Sequence, residues 1–315
     1  MLSAQLLRLA SMCLLALAAS GCSSSSGGDP AADSGPLDSA SLDAALDQVP
    51  SGDTSGAPDQ GAAPKVVEAL ASRTRGVAPL AVFFDAVGTA GVVQPPEVDG
   101  RREYADLHYV WDFGDSGAGT WAISGRSKNR ATGFVATHVF EEPGSYTVVL
   151  EVSDATGRLG RYRVTIIVDD PAVVYAGAKT TCVSTGSSFD GCPAGAKQLS
   201  GLTDFAALAS SLVAGQRVLL RRGDQWTTSA SLEPASGGPM TVGAFGSCQS
   251  PDARGICANA PLITATGGVG PAIFETAHQG FSDIRFMDLE LRSTTRHGAI
   301  GGVYRMRDVL LLRIK

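Results

Sequence analysis

The sequence predicts an all-β protein with two folded parts, a two-layer sandwich followed by a stack of β coils. Aromatic residues make up only 6% of the chain while glycine reaches 38 residues, a balance that favours strands and turns over helical bundles. Apolar residues alternate with polar ones in several short runs between positions 80 and 168, as in half-buried strands. Beyond position 217, apolar runs recur every 21 to 25 residues, which indicates stacked repeats.

The N-terminal 22 residues have the features of an export signal with a lipid-attachment site. Arg8 precedes an apolar stretch, Leu9–Ala19, that is too short to span a bilayer. The following Ala-Ser-Gly-Cys, which ends at Cys22, resembles the bacterial lipobox. That resemblance implies cleavage before Cys22 and lipidation of its sulfur, and Ser23 is not the Asp that retains lipoproteins at an inner membrane. We expect an exported protein, lipid-anchored at the outer membrane or cell surface; the alternative is an ordinary secretory signal.

Residues 23–64 are predicted to be a disordered linker. Ser, Gly, Ala, Pro and Asp dominate this segment, and no basic residue occurs before Lys65. Such a composition buries too little apolar surface to offset the entropy of ordering, and its acidic charges repel one another and extend the chain. The segment is therefore expected to hold the folded parts away from the membrane. The net charge of −6 argues against nucleic acid as a partner.

Residues 65–170 are predicted to form the sandwich. Turn residues at 142–145 and 154–157 separate runs in which every second residue is apolar. One face of each run is expected to point into a core between two sheets. The expected inward positions are Leu80, Val82 and Phe84; Tyr109, Trp111 and Phe113; Tyr146, Val148, Leu150 and Val152; and Tyr162, Val164, Ile166 and Val168.

Four motifs in this part carry a specific resemblance. They are Trp-Asp-Phe-Gly-Asp at 111–115, His-Val-Phe at 138–140, Pro-Gly-Ser-Tyr-Thr-Val at 143–148 and Asp-Ala-Thr-Gly at 154–157. In this order they resemble the polycystic-kidney-disease (PKD) domain, although the segment between Asp115 and Thr137 is longer here. The resemblance implies an immunoglobulin-like sandwich that contacts carbohydrate or protein, or serves as a spacer.

Four side chains of the sandwich have candidate roles. Trp111 belongs to the inward set and is expected to pack in the core with one partner for its N–H. Trp121 lies in the long segment and is the candidate for stacking against a sugar; the alternative is that it only anchors its loop. Asp112 and Asp115 are expected to shape the turn, and they are weak calcium candidates because some relatives hold this ion.

Residues 171–315 are predicted to begin with a short capping helix at Asp204–Val213, capped by Thr203 or Asp204 and ended by Gly215. Asp283–Leu289 aligns without a gap with Asp308–Ile314, so each coil is expected to bury its apolar face against the next. The expected strand centres are Val218, Val242, Ile263, Ile284 and Val309.

The capping helix and the Leu-Leu-Arg-Arg-Gly-Asp-Gln-Trp run at 219–226 resemble the start of right-handed parallel β-helix proteins, which include pectate-lyase-like and chondroitinase-like enzymes. The chain stops in mid-strand without a polar capping coil. We therefore expect the N-terminal coils of a truncated, longer β-helix; the alternative is a short helix closed by a partner.

Four cysteines lie beyond the predicted signal and lipidation site. Their close spacing suggests the disulfides Cys182–Cys192 and Cys248–Cys257, because an exported protein meets an oxidising environment. Buried thiols and a metal site are the alternatives, although the spacing is wide for zinc.

No nucleophile elbow, phosphate loop, dinucleotide motif or zinc signature occurs in the sequence. The resemblance to β-helix lyases implies acidic residues, often with calcium, and a basic residue on an outer sheet face. Proton abstraction beside a carboxylate needs such a base and cation, whereas hydrolases use paired carboxylates. The weak catalytic candidates are Asp288, Glu290, Arg292, His297 and Arg305, and their alternative interpretation is solvated coil and turn positions.

The sequence thus predicts a surface-anchored lipoprotein that binds polysaccharide or a cell-surface glycan, with a carbohydrate-active lyase or hydrolase as its catalytic form. Calcium is the one cofactor that this interpretation includes. The alternative is a non-catalytic adhesion or surface-structure protein in which the sandwich is a spacer or a protein-binding module.

Overall fold

The computed structural model describes residues 67–89, 107–155, 157–202, 205–266, 274–275, 282–293, 300–301 and 307–315. These residues belong to one compact unit, Gln60–Lys315. The predicted signal, Cys22 and the whole predicted linker lie outside the described residues, as do His297 and Arg305. The predicted domain boundaries stay a prediction. Below, residues 67–169 are called the sandwich and residues 171–315 the coil region.

The described part of the sandwich forms two sheets. A small antiparallel sheet has the order β1-β3-β6, and a larger sheet has the order β2-β8-β7-β4-β5, in which only the β2–β8 pair is parallel. The strands are β1 (Leu70–Ala71), β2 (Arg75–Val77), β3 (Leu80–Asp85), β4 (His108–Asp112), β5 (Arg130–Thr132), β6 (Val135–Phe140), β7 (Gly144–Asp154) and β8 (Gly157–Asp169).

The predicted alternation places the sandwich core correctly. Leu80, Val82 and Phe84 of β3 are buried, and Trp111 of β4 stands opposite Leu150 of β7 in the same core. The Trp111 indole lies 5.4 Å from the Phe84 ring, and its Nε1 donates a 2.9 Å hydrogen bond to the carbonyl of Gly133. The immunoglobulin-like sandwich and the core role of Trp111 are therefore confirmed.

The coil region is built from parallel strands. Sheets of order β10-β9-β11-β13-β16-β19, β12-β14-β17 and β15-β18 contain only parallel pairs. From β11 onward, the chain leaves the six-stranded sheet and returns to it one strand further along. The strands are β9 (Thr180–Ser184), β10 (Lys197–Ser200), β11 (Arg217–Arg221), β12 (Gln225–Thr228), β13 (Met240–Phe245), β14 (Leu262–Ala265), β15 (Phe274–Glu275), β16 (Ser282–Met287), β17 (Glu290–Ser293), β18 (Ile300–Gly301) and β19 (Arg307–Leu312).

The capping element is a 3₁₀ helix, Phe205–Ser211, instead of the predicted helix at Asp204–Val213. Phe205 and Leu208 are three residues apart and both are buried in the core of the coil region, a spacing that suits the tighter 3₁₀ turn. Thr203 and Asp204, the predicted caps, lie outside the described residues. The only other described helices are α1 (Pro171–Val174) and a 3₁₀ turn at Gly177–Lys179.

The register corrects the predicted row of strand centres. Val218 pairs with Val242, and Ile284 pairs with Val309, as the gapless repeat predicts. Ile263, however, lies in the second sheet opposite Trp226, and Val242 faces Phe286 instead of Ile284. The physical reason is the loop between Phe245 and Leu262, which adds residues between β13 and β14. Ile263 therefore falls at the repeat distance from Val242, although the chain has by then moved to the second sheet.

Both predicted disulfides are present. Cys182 is bonded to Cys192 with an S–S distance of 2.12 Å, and Cys248 is bonded to Cys257 with an S–S distance of 2.01 Å. Within the described ranges, no helix is long and apolar enough to cross a membrane.

A buried arginine joins the sandwich to the coil region. Arg285 on β16 is 1% exposed; its Nε donates a 2.8 Å hydrogen bond to the carbonyl of Pro79, and its Nη2 lies 2.9 Å from Asp283 Oδ1. Arg73 of the sandwich also bonds Asp283, with 2.7 Å between Nη1 and Oδ1. At another point of this contact, Arg313 of the coil region pairs with Glu141 of the sandwich. The two parts therefore share a polar, partly buried interface.

Candidate functional site

A groove with a volume of about 720 Å³ opens between the sandwich and the coil region. Its walls come from residues 120–128 of the long sandwich segment, the middle and end of β6, the loop closed by Cys248–Cys257, and the end of β19. The side chains that give the groove its chemistry are Trp121, Ile123, Lys128, His138, Glu141, Arg254, Ile256 and Arg313.

Backbone hydrogen bonds shape the long sandwich segment into a compact loop. Trp121 N–H donates to the carbonyl of Arg126 over 2.9 Å, and Gly125 N–H donates back to the carbonyl of Trp121 over 2.9 Å. Gly125 has a φ of 67°, a conformation that glycine adopts without strain. These bonds pair backbone groups of the loop with one another and do not use the Trp121 indole, which projects from the loop.

Trp121 and Ile123 present apolar surface to solvent at the groove. Trp121 is 57% exposed and Ile123 is fully exposed. The Nζ of Lys128 lies 5.5 Å from the centroid of the Trp121 ring, within the range of a cation–π interaction. An exposed indole beside a cation in a concave site is a typical ligand contact, because the ring offers dispersion and the ammonium offers a hydrogen-bond donor.

A buried histidine anchors the root of this loop. His138 Nε2 lies 3.0 Å from Asp115 Oδ2, and the imidazole stacks on the Phe113 ring with a centroid distance of 4.4 Å. Asp115 N–H in turn donates to Asn129 Oδ1 over 2.6 Å. Burial lowers the pKa of His138 below its ordinary value, and the hydrogen bond with Asp115 only partly opposes this effect. His138 thus holds Asp115 at the start of the loop that carries Trp121, and Asp115 in turn bonds Asn129 at its end.

The coil side of the groove is rich in arginine. Arg254 stands in the second disulfide loop and pairs with Asp252, with 2.9 Å between Nη2 and Oδ2. Arg313 lies between two carboxylates, 2.6 Å from Asp288 Oδ1 and paired with Glu141. Lys128 has no carboxylate partner among the described residues, so its whole ammonium group is available to a ligand.

The predicted catalytic residues that the structure describes are held in ion pairs. Asp288 is buried at the turn after β16, with Arg313 at 2.6 Å and Arg222 Nη2 at 3.7 Å. Glu290 is also buried, with Lys315 Nζ at 3.1 Å and Arg292 Nη2 at 2.6 Å. These contacts do not bring Asp288 and Glu290 to a common open site.

The electrostatic surroundings of Glu290 suit a structural carboxylate. Burial by itself raises its pKa, but hydrogen bonds from Lys315 and Arg292 outweigh burial and hold the pKa below the ordinary value. A general acid needs a raised pKa at neutral pH, so Glu290 is poorly suited to that role. Arg292 extends toward solvent from β17, while His297 and Arg305 lie outside the described residues.

The turn that carries Asp112 and Asp115 does not fit a calcium ion. Asp112 Oδ1 accepts hydrogen bonds from Gly114 N–H and Asn129 Nδ2, each over 3.0 Å, and Asp115 faces His138. Calcium requires six to eight oxygen ligands, whereas this turn supplies hydrogen-bond donors around both carboxylates. No group of three or more His, Cys, Asp or Glu side chains suited to a metal occurs in the described part of the chain.

A comparison with protein families finds a match in the middle of this chain. Residues 77–160 match the family model described as PKD domain. This match covers the β3–β7 strands, the start of β8 and the loop that carries Trp121, so the PKD resemblance of the sequence motifs is confirmed for this segment. No curated protein matches the chain.

One similar solved structure is 23% identical to this chain. Its description reads "Structural basis for the promiscuous specificity of the carbohydrate-binding modules from the beta-sandwich super family". The match covers 36% of this chain and 37% of that one, with a TM-score of 0.26. The chain therefore spans little more than a third of that protein, and at this TM-score the likeness carries no argument about function.

Several groove residues were not singled out from the sequence. Ile123, Lys128, Arg254 and Arg313 belong to different segments that meet only in the folded protein. The one available signal was local: Trp-Ala-Ile at 121–123 places two large apolar side chains in an otherwise polar segment without strand alternation.

Proposed function

We propose that this protein binds polysaccharide in the groove beside Trp121, as an exported lipoprotein anchored through Cys22 and extended by the acidic linker. The observation that carries the proposal is the exposure of 57% for an indole on the wall of a groove of about 720 Å³. The coil region supplies the other wall and is proposed to be the beginning of a right-handed parallel β-helix.

The chemistry of the groove supports a sugar ligand. A pyranose ring has an apolar C–H face that packs on an indole, and hydroxyl groups at its edge that both donate and accept hydrogen bonds. Trp121 and Ile123 supply the apolar contact, while Lys128 and Arg254 supply donors and Glu141 supplies an acceptor. A rigid indole also loses little conformational entropy on binding, which favours affinity from a small site.

The ion-paired state of Asp288 and Glu290 favours binding without catalysis by these two carboxylates. The non-catalytic adhesion or surface-structure role is therefore the second candidate function. A lyase or hydrolase role would have to use other residues, with His297 and Arg305 as the remaining sequence candidates.

The proposal is tested by Trp121→Ala in a binding assay. Affinity electrophoresis of the exported chain against polygalacturonate, xylan, mixed-linkage β-glucan and laminarin would identify the polymer. We expect Trp121→Ala to weaken binding by about five- to 150-fold, because stacking of a flat ligand face on an aromatic ring contributes on the order of 1–3 kcal/mol.

Trp121→Phe should retain most of the affinity, since it keeps an aromatic face. Ile167→Ala is the matched control, because Ile167 is a partly exposed apolar residue of β8 that does not line the groove. This control should bind as wild type does. Wild-type affinity of Trp121→Ala for the polymer would refute the proposed groove.

A further inference from the structure

A second cavity lies between the sandwich and the outer face of the six-stranded parallel sheet. Its volume is about 550 Å³, and it is lined on the sandwich side by Pro79 and residues 141–143 and on the coil side by β11, β13 and β16. Glu141 and Arg313 line this cavity and the Trp121 groove alike. The Glu141–Arg313 ion pair therefore stands between two adjoining cavities along one seam.

The floor of the second cavity is apolar and closely packed around a glycine. Leu219 of β11 pairs with Gly243 of β13, and Met287 of β16 lies on the far side of Gly243. A Cβ at Gly243 would lie 3.2 Å from Met287 Cγ and 3.5 Å from Leu219 Cδ2. The side chains of Met287 and Leu219 therefore close over Gly243 and, with it, form the apolar floor of the cavity, which is suited to the C–H face of a sugar ring.

Polar groups with complementary hydrogen-bonding roles surround this floor. Arg217 has no ion-pair partner among the described residues; its Nε donates to Thr180 Oγ1 over 3.0 Å, and its guanidinium lies 5.5 Å from the centroid of the Tyr175 ring. These contacts hold the guanidinium in place while its other N–H groups stay available to a ligand. Glu142 and Asp170, which also line the cavity, can accept hydrogen bonds.

We propose that this cavity is a second sugar-binding subsite and that one polysaccharide chain occupies both cavities along the seam. The proposal rests on the function proposed for the Trp121 groove. It adds that the preferred ligand is an extended polysaccharide chain instead of a short oligosaccharide. Binding at two adjoining subsites raises affinity for a long ligand because the second contact is made within the same complex.

The test compares chain lengths in two variants of the second cavity. Arg217→Gln removes the guanidinium, and Gly243→Val pushes the Met287 and Leu219 side chains toward the cavity without changing charge. With the polymer that wild type binds, and with disaccharides and octasaccharides prepared from it, calorimetry on the full chain should show each variant binding the long ligands about tenfold more weakly. Disaccharide binding should be unchanged, because a disaccharide is held at Trp121 alone.

Arg163→Gln is the matched control, since Arg163 is an exposed arginine of β8 outside both cavities. Thermal unfolding by circular dichroism checks that Arg217→Gln and Gly243→Val fold. Wild-type affinity of both variants for octasaccharide and polymer, with binding still lost in Trp121→Ala, would overturn the second subsite and leave the groove standing. Equal weakening for disaccharide would also overturn it. Full binding by Trp121→Ala would overturn the groove, and the second subsite with it.

Discussion

Arg285 joins the sandwich to the coil region, and its replacement by methionine gives a measurable test of that interface. The side chain is 1% exposed and donates to the carbonyl of Pro79 over 2.8 Å. It also lies 2.9 Å from Asp283, which keeps a second partner in Arg73 at 2.7 Å. Methionine preserves the unbranched aliphatic part of the side chain, so the substitution mainly removes the guanidinium.

The expected cost follows from these contacts. A hydrogen bond from a charged donor contributes about 1.5–3 kcal/mol, and the Pro79 carbonyl would lose it in a buried position. Breaking a buried ion pair costs about 3–5 kcal/mol when it leaves one charge alone, but Asp283 retains Arg73. We therefore expect Arg285→Met to lower the free energy of unfolding by about 2–3 kcal/mol.

Urea denaturation followed by tryptophan fluorescence and far-ultraviolet circular dichroism measures this loss. Fluorescence reports on both parts of the protein, because Trp111 lies in the sandwich core and Trp226 in the core of the coil region. Arg163→Met, which replaces an arginine at an exposed position, serves as the control and should change the stability by less than about 0.5 kcal/mol. A loss below about 1 kcal/mol for Arg285→Met would refute the reasoning that this contact holds the two parts together.

Two further predictions concern the histidine and the anchor. Burial lowers the pKa of His138 in the folded state below the ordinary 6.5. As the pH falls, the unfolded chain therefore takes up a proton on this histidine before the folded protein does. The contribution of His138 to stability is full above about pH 6.5 and decreases below it. His138→Gln should flatten this decrease between about pH 7 and pH 5 in urea titrations, and an unchanged slope would contradict the assignment. Cys22→Ala should shift the exported chain from the membrane fraction to the soluble fraction and abolish palmitate labelling, whereas Cys13→Ala should retain both; membrane retention by the Cys22 variant would contradict the lipid anchor.

The core strands of the sandwich could be predicted from its sequence, and the coil region only in outline. In the sandwich, strand alternation has a period of two, so Leu80, Trp111 and Leu150 reveal their inward positions without knowledge of the partner strand. In the coil region the register depends on how many residues each turn consumes. The loop between β13 and β14 adds a disulfide-closed excursion, and for this reason Ile263 was placed in the wrong sheet.

The site was less predictable than the fold, because it forms between segments distant in sequence. Trp121 could be singled out as a large aromatic residue in a polar segment, and its sugar-stacking role stays a prediction. Arg313 and Glu141 are 172 positions apart, so no local pattern links them. Asp288 and Glu290 looked available because sequence does not show that cations one coil away, Arg313 and Lys315, occupy them.

The parallel pairing of β2 with β8 determines how the sandwich would carry a mechanical load. Arg75–Val77 lies near the entry of the chain into the sandwich, and Ile167–Asp169 lies at its exit. A force pulling the two ends of the sandwich apart would slide β2 and β8 past each other. Their backbone hydrogen bonds and the Arg75–Asp169 ion pair, with 2.8 Å between Nη2 and Oδ1, would then bear the load together instead of breaking one by one. A load applied along the chain would therefore meet resistance from the whole β2–β8 pair before the sandwich opens.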